Sequence, residues 1–317
     1  MKNVYICEPN CRIHKNGEYL TVRKRNGKIS DISLFGVQTI LLFGNVQITT
    51  QAVSLILEKG IDLLFLTSGG KLKGRASGEQ GKNVLIRIAQ YDAWFQEEVR
   101  LKIAKGIVEQ KLIGQKENLK YYRYRKKLSQ LKQKELFIEE AIKKLEAADS
   151  VSEIMELEGS AAAVYFSVFS LLIQDFSFEK RVRRPAYDPV NSLLNLTYTF
   201  LKNEIFAILK SASFDVELGF LHDIRSGRES LALDFMELYR AVFADRFVIT
   251  LFNKRWIKQE DFESSEEGVR LKTEGIRQYC SYFQEAMYEE KSEGKTWKQQ
   301  MEQDIMIFRN RLLSLHN

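Results

Sequence analysis

Gly69-Gly70-Lys71-Leu72-Lys73-Gly74-Arg75-Ala76-Ser77-Gly78-Glu79-Gln80-Gly81 is the stretch where this chain changes its period. The glycines interrupt helix and strand patterns alike, so the segment reads as a flexible, basic connector. Upstream of it apolar residues alternate, as in Glu18-Tyr19-Leu20-Thr21-Val22-Arg23. Arg25-Asn26-Gly27-Lys28 then supplies a hairpin turn, because Asn-Gly accepts the positive φ such turns need. Residues 32–35, 39–43 and 62–66 read as further strands, and residues 49–59 as a short helix ended by Gly60. From about Asn83 onward the pattern is helical, and no proline occurs between Pro9 and Pro185 to interrupt it. The expectation is an α+β chain: a small β-rich domain over 1–76, a linker over 77–83 and a larger helical domain over 84–317.

Composition narrows the class. Hydrophobic residues make up 44% of the 317, which supplies a sizeable core and argues against global disorder. Lys and Arg number 48 against 42 Asp and Glu, a formal charge of +6. That excess lies wholly in residues 1–75, a distribution that suits a polyanionic partner and equally a solvated basic face. Cys7, Cys11 and Cys280 are too few and too scattered for a disulfide framework, so a reducing compartment is expected. Cys7, Cys11 and His14 lack a fourth ligand and match no common zinc spacing. No secretory signal is expected from the Lys2-Asn3 start, and the apolar run 161–173 is too short to span a bilayer. The expected place of action is the cytoplasm, with no membrane partner.

Glu158 is the first chemical anomaly. Ile154, Ala161, Tyr165, Val168 and Leu172 share one helical stripe, and Glu158 stands inside it. A carboxylate on a buried face is costly unless a basic side chain or a metal meets it. The helix bearing it starts at Asp149-Ser150, where Ser150 and Glu153 resemble a capping box.

Further on, His222 follows Gly219-Phe220-Leu221, and Asp234 and Glu237 lie three apart on a helix that Ser230 is expected to cap. Each alone has an ordinary structural reading. Together, two or three carboxylates and one imidazole suit Mg²⁺ or Mn²⁺ better than a soft-ligand metal. The cations of Lys180-Arg181-Val182-Arg183-Arg184-Pro185 either meet phosphate or neutralise helix ends. Tyr121-Tyr122-Arg123-Tyr124-Arg125-Lys126-Lys127 interleaves aromatics and cations, either to stack on bases or as the solvated face of an amphipathic helix.

Four segments, in order, carry a resemblance. They are Glu158-Gly159 with Ala161-Ala162 and Tyr165-Phe166; residues 184–194, Arg184-Pro185-Ala186-Tyr187-Asp188-Pro189-Val190-Asn191-Ser192-Leu193-Leu194; Gly219-Phe220-Leu221-His222; and residues 230–240, from Ser230-Leu231-Ala232 to Tyr239-Arg240. The whole chain resembles the CRISPR-associated integrase-endonuclease family, the metal-dependent large subunit of the spacer-acquisition machinery.

The resemblance implies a β-sandwich-like N-terminal domain and an all-α catalytic domain. It implies a homodimer flanking a small second adaptation subunit, and double-stranded DNA, as prespacer and CRISPR repeat, as the substrate. It implies that a prespacer 3′-hydroxyl attacks the repeat with help from Mg²⁺ or Mn²⁺. Glu158, His222 and Glu237 match the family's metal ligands, with Glu237 standing where some members have Asp. Asp234 matches a neighbouring acid with a supporting role. Arg184 and Asn191 fall in the central motif, where Ala186-Tyr187 departs from the common pattern. Arg183, Arg225 and Arg228 join Arg184 and Asn191 as candidates for nucleic-acid contact, with Lys71, Lys73, Arg75, Arg123 and Arg125 as further basic candidates. The alternatives are a metal-dependent nuclease on branched DNA, a non-catalytic DNA-binding scaffold, and a helical interaction module in which Glu158 pairs with an arginine.

Overall fold

The computed structural model describes residues 2–24, 27–78, 83–183, 185–290 and 294–316. Two compact units divide the chain. The first comprises Met1–Gln80 with Glu260–Ser265 and Val269–Ala286; the second comprises Gly81–Gln259 with Glu266–Gly268 and Met287–Asn317.

The N-terminal part of the first unit runs β1 (Lys2–Ile6), β2 (Arg12–Asn16), β3 (Tyr19–Lys24), β4 (Gly27–Ser33), β5 (Val37–Phe43), β6 (Gln47–Ile48), α1 (Thr50–Glu58), β7 (Asp62–Leu66) and β8 (Leu72–Ala76). These strands form two four-stranded sheets, ordered β1-β5-β7-β8 and β4-β3-β2-β6. β5 pairs in parallel with both β1 and β7, and its near-continuous apolar run reflects that central position. One core draws Ile13, Leu20 and Val22 from the second sheet, Ile40, Leu42 and Leu63 from the first, and Ala52, Leu55 and Ile56 from α1. Thr49 caps α1 by accepting from the amide of Ala52, and Gly60, at φ 70°, ends it.

One sequence expectation changes here. Part of the glycine-rich stretch is not a linker: residues 72–76 form β8, antiparallel to β7, because small residues still pair through their backbone. Cys7 faces Cys280, sulfur to sulfur at 4.0 Å, and both thiols are buried. Arg25 and Asn26, at the expected hairpin turn, lie outside the described residues, while β3 and β4 pair antiparallel on either side of them.

The second unit is helical. It contains α2 (Val84–Phe95), α3 (Glu97–Lys126), α4 (Leu131–Ala147), α5 (Val151–Ser167), α6 (Pro189–Ser211), α7 (Ser230–Tyr239) and α8 (Arg246–Asn253). A π-helical segment, Arg240–Asp245, joins α7 to α8 without a break. α6 is buried on all faces and starts where Asp188 accepts from the amide of Asn191 at 2.8 Å, with Pro189 as its first residue. α3 is 30 residues long and lies close against the π-helical segment. A Cβ on Gly114 would stand 2.9 Å from Val242.

After α8 the chain forms a two-stranded hairpin, β9 (Phe262–Ser265) and β10 (Gly268–Leu271), then α9 (Thr273–Tyr288) and α10 (Trp297–His316). This hairpin corrects the expectation of an all-α remainder. Residues 260–265 and 269–286 also cluster with the first unit, so the division at 77–83 is not the only one.

Candidate metal centre

α5 opens as the sequence requires. Ser150 accepts from the amide of Glu153 at 3.2 Å, and the Glu153 carboxylate accepts from the amide of Asp149 at 2.8 Å. Ile154, Ala161 and Tyr165 are fully buried along one stripe, and Glu158 stands among them with 23% of its side chain exposed. The helix ends at Ser167, earlier than the stripe. Val168, the cap between the two, and Leu172, at the end of a 3₁₀ turn over Phe169–Leu172, continue it.

The partner of Glu158 is Lys111. Its ammonium pairs with Oε1 of Glu158 and lies 2.6 Å from Oε2 of Glu237, so one cation bridges α5 and α7 from α3. Lys111 and Glu237 are each 3% exposed. On α3, Lys111 shares a buried stripe with Ala104, Val108, Gln115, Asn118 and Tyr122, at alternating steps of four and three. That stripe also carries Gln115 and Asn118, so Lys111 does not stand out in the sequence as Glu158 does in its apolar seam.

Asp234 and Glu237, three apart on α7, are both buried, because this helix is covered on nearly every side. Oδ2 of Asp234 accepts the amides of Phe220 at 2.6 Å and Leu221 at 3.0 Å, and Oδ1 accepts the amide of His222 at 3.0 Å. Nδ1 of His222 lies 2.7 Å from the same Oδ1. In the tautomer that donates from Nδ1 to this carboxylate, Nε2 is the ring nitrogen left to accept or to ligate. Gly219 makes the approach possible: a Cβ there would stand 2.8 Å from Oδ2 of Asp234 and from Cβ of Ser230. Ser230 does not cap α7. Glu229 holds the cap position, and the buried Ser230 hydroxyl donates to the carbonyl of Asp223 at 2.9 Å.

Arg240 completes the charge balance around Glu237, reaching Oε1 at 2.8 Å. Burial opposes ionisation of Glu237, but Arg240 and Lys111 outweigh it and hold the carboxyl at about 2. The Arg240 guanidinium also lies over the ring of Tyr198, 4.8 Å from its centroid. The Tyr198 hydroxyl donates to Asp245 at the far end of the π-helical segment. Burial pushes the Asp245 carboxyl up to about 6 in spite of Tyr198, Arg240 and Arg181.

A cavity of about 970 Å³ opens over this network. Glu158, His222, Arg183 and Arg228 line it, with Lys111, Arg181, Lys202 and Arg240. Arg225 is exposed elsewhere, and Arg184 lies outside the described residues. Asn191 is fully buried: it accepts from Arg181 and from the amide of Val182, and donates to the carbonyl of Lys180 and to Asp188. Its side chain ties the 180–182 segment to α6. Arg123 forms a two-pronged pair with the buried Glu135, so the cation-aromatic run is the face of an amphipathic helix at that position.

Among the described residues, no three His, Cys, Asp or Glu side chains stand as a preformed metal cluster. The donor set still fits a hard divalent cation. Two carboxylates from different helices converge on one positive charge. Oε2 of Glu237 is buried and, among the described residues, the Lys111 ammonium 2.6 Å away is the partner it meets. An imidazole with its Nδ1 engaged lines the same cavity. Oxygen donors with one neutral imidazole nitrogen are the chemistry of Mg²⁺ and Mn²⁺ sites.

The family described as CRISPR associated protein Cas1 matches residues 4–285. "CRISPR-associated endonuclease Cas1 3" of Thermus thermophilus is 31% identical over 316 residues, 99% of this chain and 93% of that one. Among solved structures, a "Casposase bound to integration product" superposes with a TM-score of 0.87 at 25% identity, over 99% of this chain and 91% of that one. A "Cas6-RT-Cas1--Cas2 complex" gives 0.86 at 28% identity, over 99% of this chain and 35% of that one. Among the described residues, no helix is long and apolar enough to cross a membrane.

Proposed function

The chain belongs to the CRISPR-associated Cas1 family, and from that premise we propose that it is a metal-dependent DNA endonuclease and integrase of CRISPR adaptation. The reaction is phosphoryl transfer: a prespacer 3′-hydroxyl attacks a phosphodiester of the CRISPR repeat and releases a strand end. Glu158, His222 and Glu237 hold one Mg²⁺ or Mn²⁺. The observation that carries this reading is the convergence of Glu158 and Glu237 on a single cation beside a cavity that His222 lines.

When bound, the metal neutralises charge on the reacting phosphate and lowers the pKa of the attacking hydroxyl. Everything else falls to the chain. Arg183 and Arg228 at the cavity hold backbone phosphates, so affinity depends strongly on salt. Asp234 fixes the tautomer and orientation of His222. Arg240 keeps Glu237 ionised and ready to ligate. Asn191 shapes the basic 180–182 segment beside the cavity.

The relatives named above point to the partners: a casposase with an integration product, and a complex of Cas1 with Cas2. The assembly is a homodimer of this chain with a small second adaptation subunit, working on double-stranded prespacer and repeat DNA in the cytoplasm. The test is strand transfer into a repeat-bearing plasmid with the small subunit and Mn²⁺. Glu158→Ala, His222→Ala and Glu237→Ala are each expected to abolish half-site products. Full activity in all three would exclude the metal site, and cleavage of branched DNA with no joined product would favour a plain nuclease.

A further inference from the structure

We propose that Lys111 is a tethered counter-ion that competes with the divalent cation for Glu158 and Glu237, so that metal loading expels its ammonium from between the two carboxylates. The inference rests on the metal reading above.

Charge drives the argument. Without any cation, Glu158 and Glu237 would aim two negative charges at one point, where they repel each other. Lys111 removes that problem, contacting both at once from a third helix. A divalent cation at the same point reverses the balance. The metal, Lys111 and Arg240 would then bring four positive charges to two carboxylates that Lys111 and Arg240 alone already balance, so a monovalent cation becomes surplus.

The structure decides which one leaves. Arg240 is held from two sides, by Oε1 of Glu237 and by the Tyr198 ring 4.8 Å away. A guanidinium so placed is planar and locked. Lys111 carries a compact ammonium on four flexible methylenes, and it already lines the cavity above the site. Withdrawal therefore moves its charge into the space that receives phosphate. Lys111 acts through the carboxylates and is a positioning residue. The metal-free site is kept assembled, and the same contact sets a threshold concentration of metal for loading.

A protein whose competent conformer is only partly populated binds more weakly by that fraction. Removing Lys111 removes the competitor. Calorimetric titration with Mn²⁺ is expected to show Lys111→Met binding about tenfold tighter or more than the wild type. In the wild type, labelling of the Lys111 amine by acetic anhydride, read by mass spectrometry, is expected to rise when Mn²⁺ is added. Glu158→Gln is expected to lose both the binding and the rise. Equal or weaker Mn²⁺ binding by Lys111→Met overturns the proposal while leaving the metal site intact. Unchanged Lys111 labelling in wild-type protein that binds Mn²⁺ overturns it too, and needs no folded variant. Wild-type protein that takes up no Mn²⁺ overturns the metal reading itself.

Discussion

Nδ1 of His222 lies 2.7 Å from Oδ1 of Asp234, and the carboxylate that holds it also accepts three successive backbone amides, those of Phe220, Leu221 and His222. One buried side chain therefore fixes the loop, the ring and the nitrogen that faces outward. The consequences can be measured separately.

Asp234→Asn keeps the volume but turns one acceptor into a donor that opposes the amides. We expect Mn²⁺ affinity to fall by roughly 10–100-fold, the usual effect of losing a ligand's outer partner. We also expect a stability loss on the order of 3 kcal/mol from the unmatched buried groups. Calorimetric titration and urea unfolding read the two effects, and wild-type affinity would contradict the role.

Gly219→Ala tests the close approach. Its Cβ would meet Asp234 and Ser230 at 2.8 Å, contacts that side chains do not make without movement. A destabilisation of about 1–3 kcal/mol is expected in urea unfolding, together with weaker Mn²⁺ binding as His222 is displaced. An unchanged urea midpoint would show that the loop has room to spare.

The pH dependence of stability follows from Asp245. Its carboxyl rises from 3.8 to about 6 on folding, so between those values the native state holds a proton that the unfolded chain has lost. Stability therefore falls as pH rises through this window, by on the order of 2 kcal/mol. Glu237, held near 2, acts oppositely: its contribution is present above the ordinary carboxyl range near 4.5 and is lost in more acidic solution. Urea unfolding from pH 4 to 6.5 is expected to show a smaller decline for Asp245→Asn than for the wild type. Parallel curves would contradict the assignment.

Salt dependence separates cavity cations from structural ones. Arg228→Ala is expected to lower the slope of log binding constant against log salt by about one for duplex DNA. Arg123→Ala, whose guanidinium is committed to Glu135, is expected to leave that slope unchanged. Fluorescence anisotropy across a salt series decides between them, and equal slopes for wild type and Arg228→Ala would remove Arg228 from the DNA contact.

Much of this was legible in the sequence where one residue broke a local pattern. Glu158 interrupts an apolar stripe, and that interruption correctly demanded a cation; Lys111 lies on a stripe of α3 that also holds Gln115 and Asn118, so nothing local singles it out. The Ser150 cap and the Gly60 stop rest on neighbours a few residues away, so the sequence exposes them. Other features depend on distant packing. The burial of Asp234 and Glu237 depends on what covers α7, and Ser230 lost its cap role to a contact with Asp223, seven residues earlier. The 262–271 hairpin is short and flanked by helices, and its acidic turn hid a strand pattern inside a helical region. His222 and the Asp234–Glu237 pair break no local rule by themselves; they stood out only as a combination of hard donors, and the resemblance to a family then singled out His222 and Glu237 as ligands.

Pulsed electron paramagnetic resonance on the Mn²⁺-loaded protein addresses the central claim, that Glu158, His222 and Glu237 together hold one divalent cation. One directly coordinated imidazole nitrogen is predicted in the wild type. It should disappear in His222→Ala, and the bound Mn²⁺ should be lost in Glu158→Ala and Glu237→Ala. A spectrum with no coordinated nitrogen, or one that persists in His222→Ala, would contradict the site.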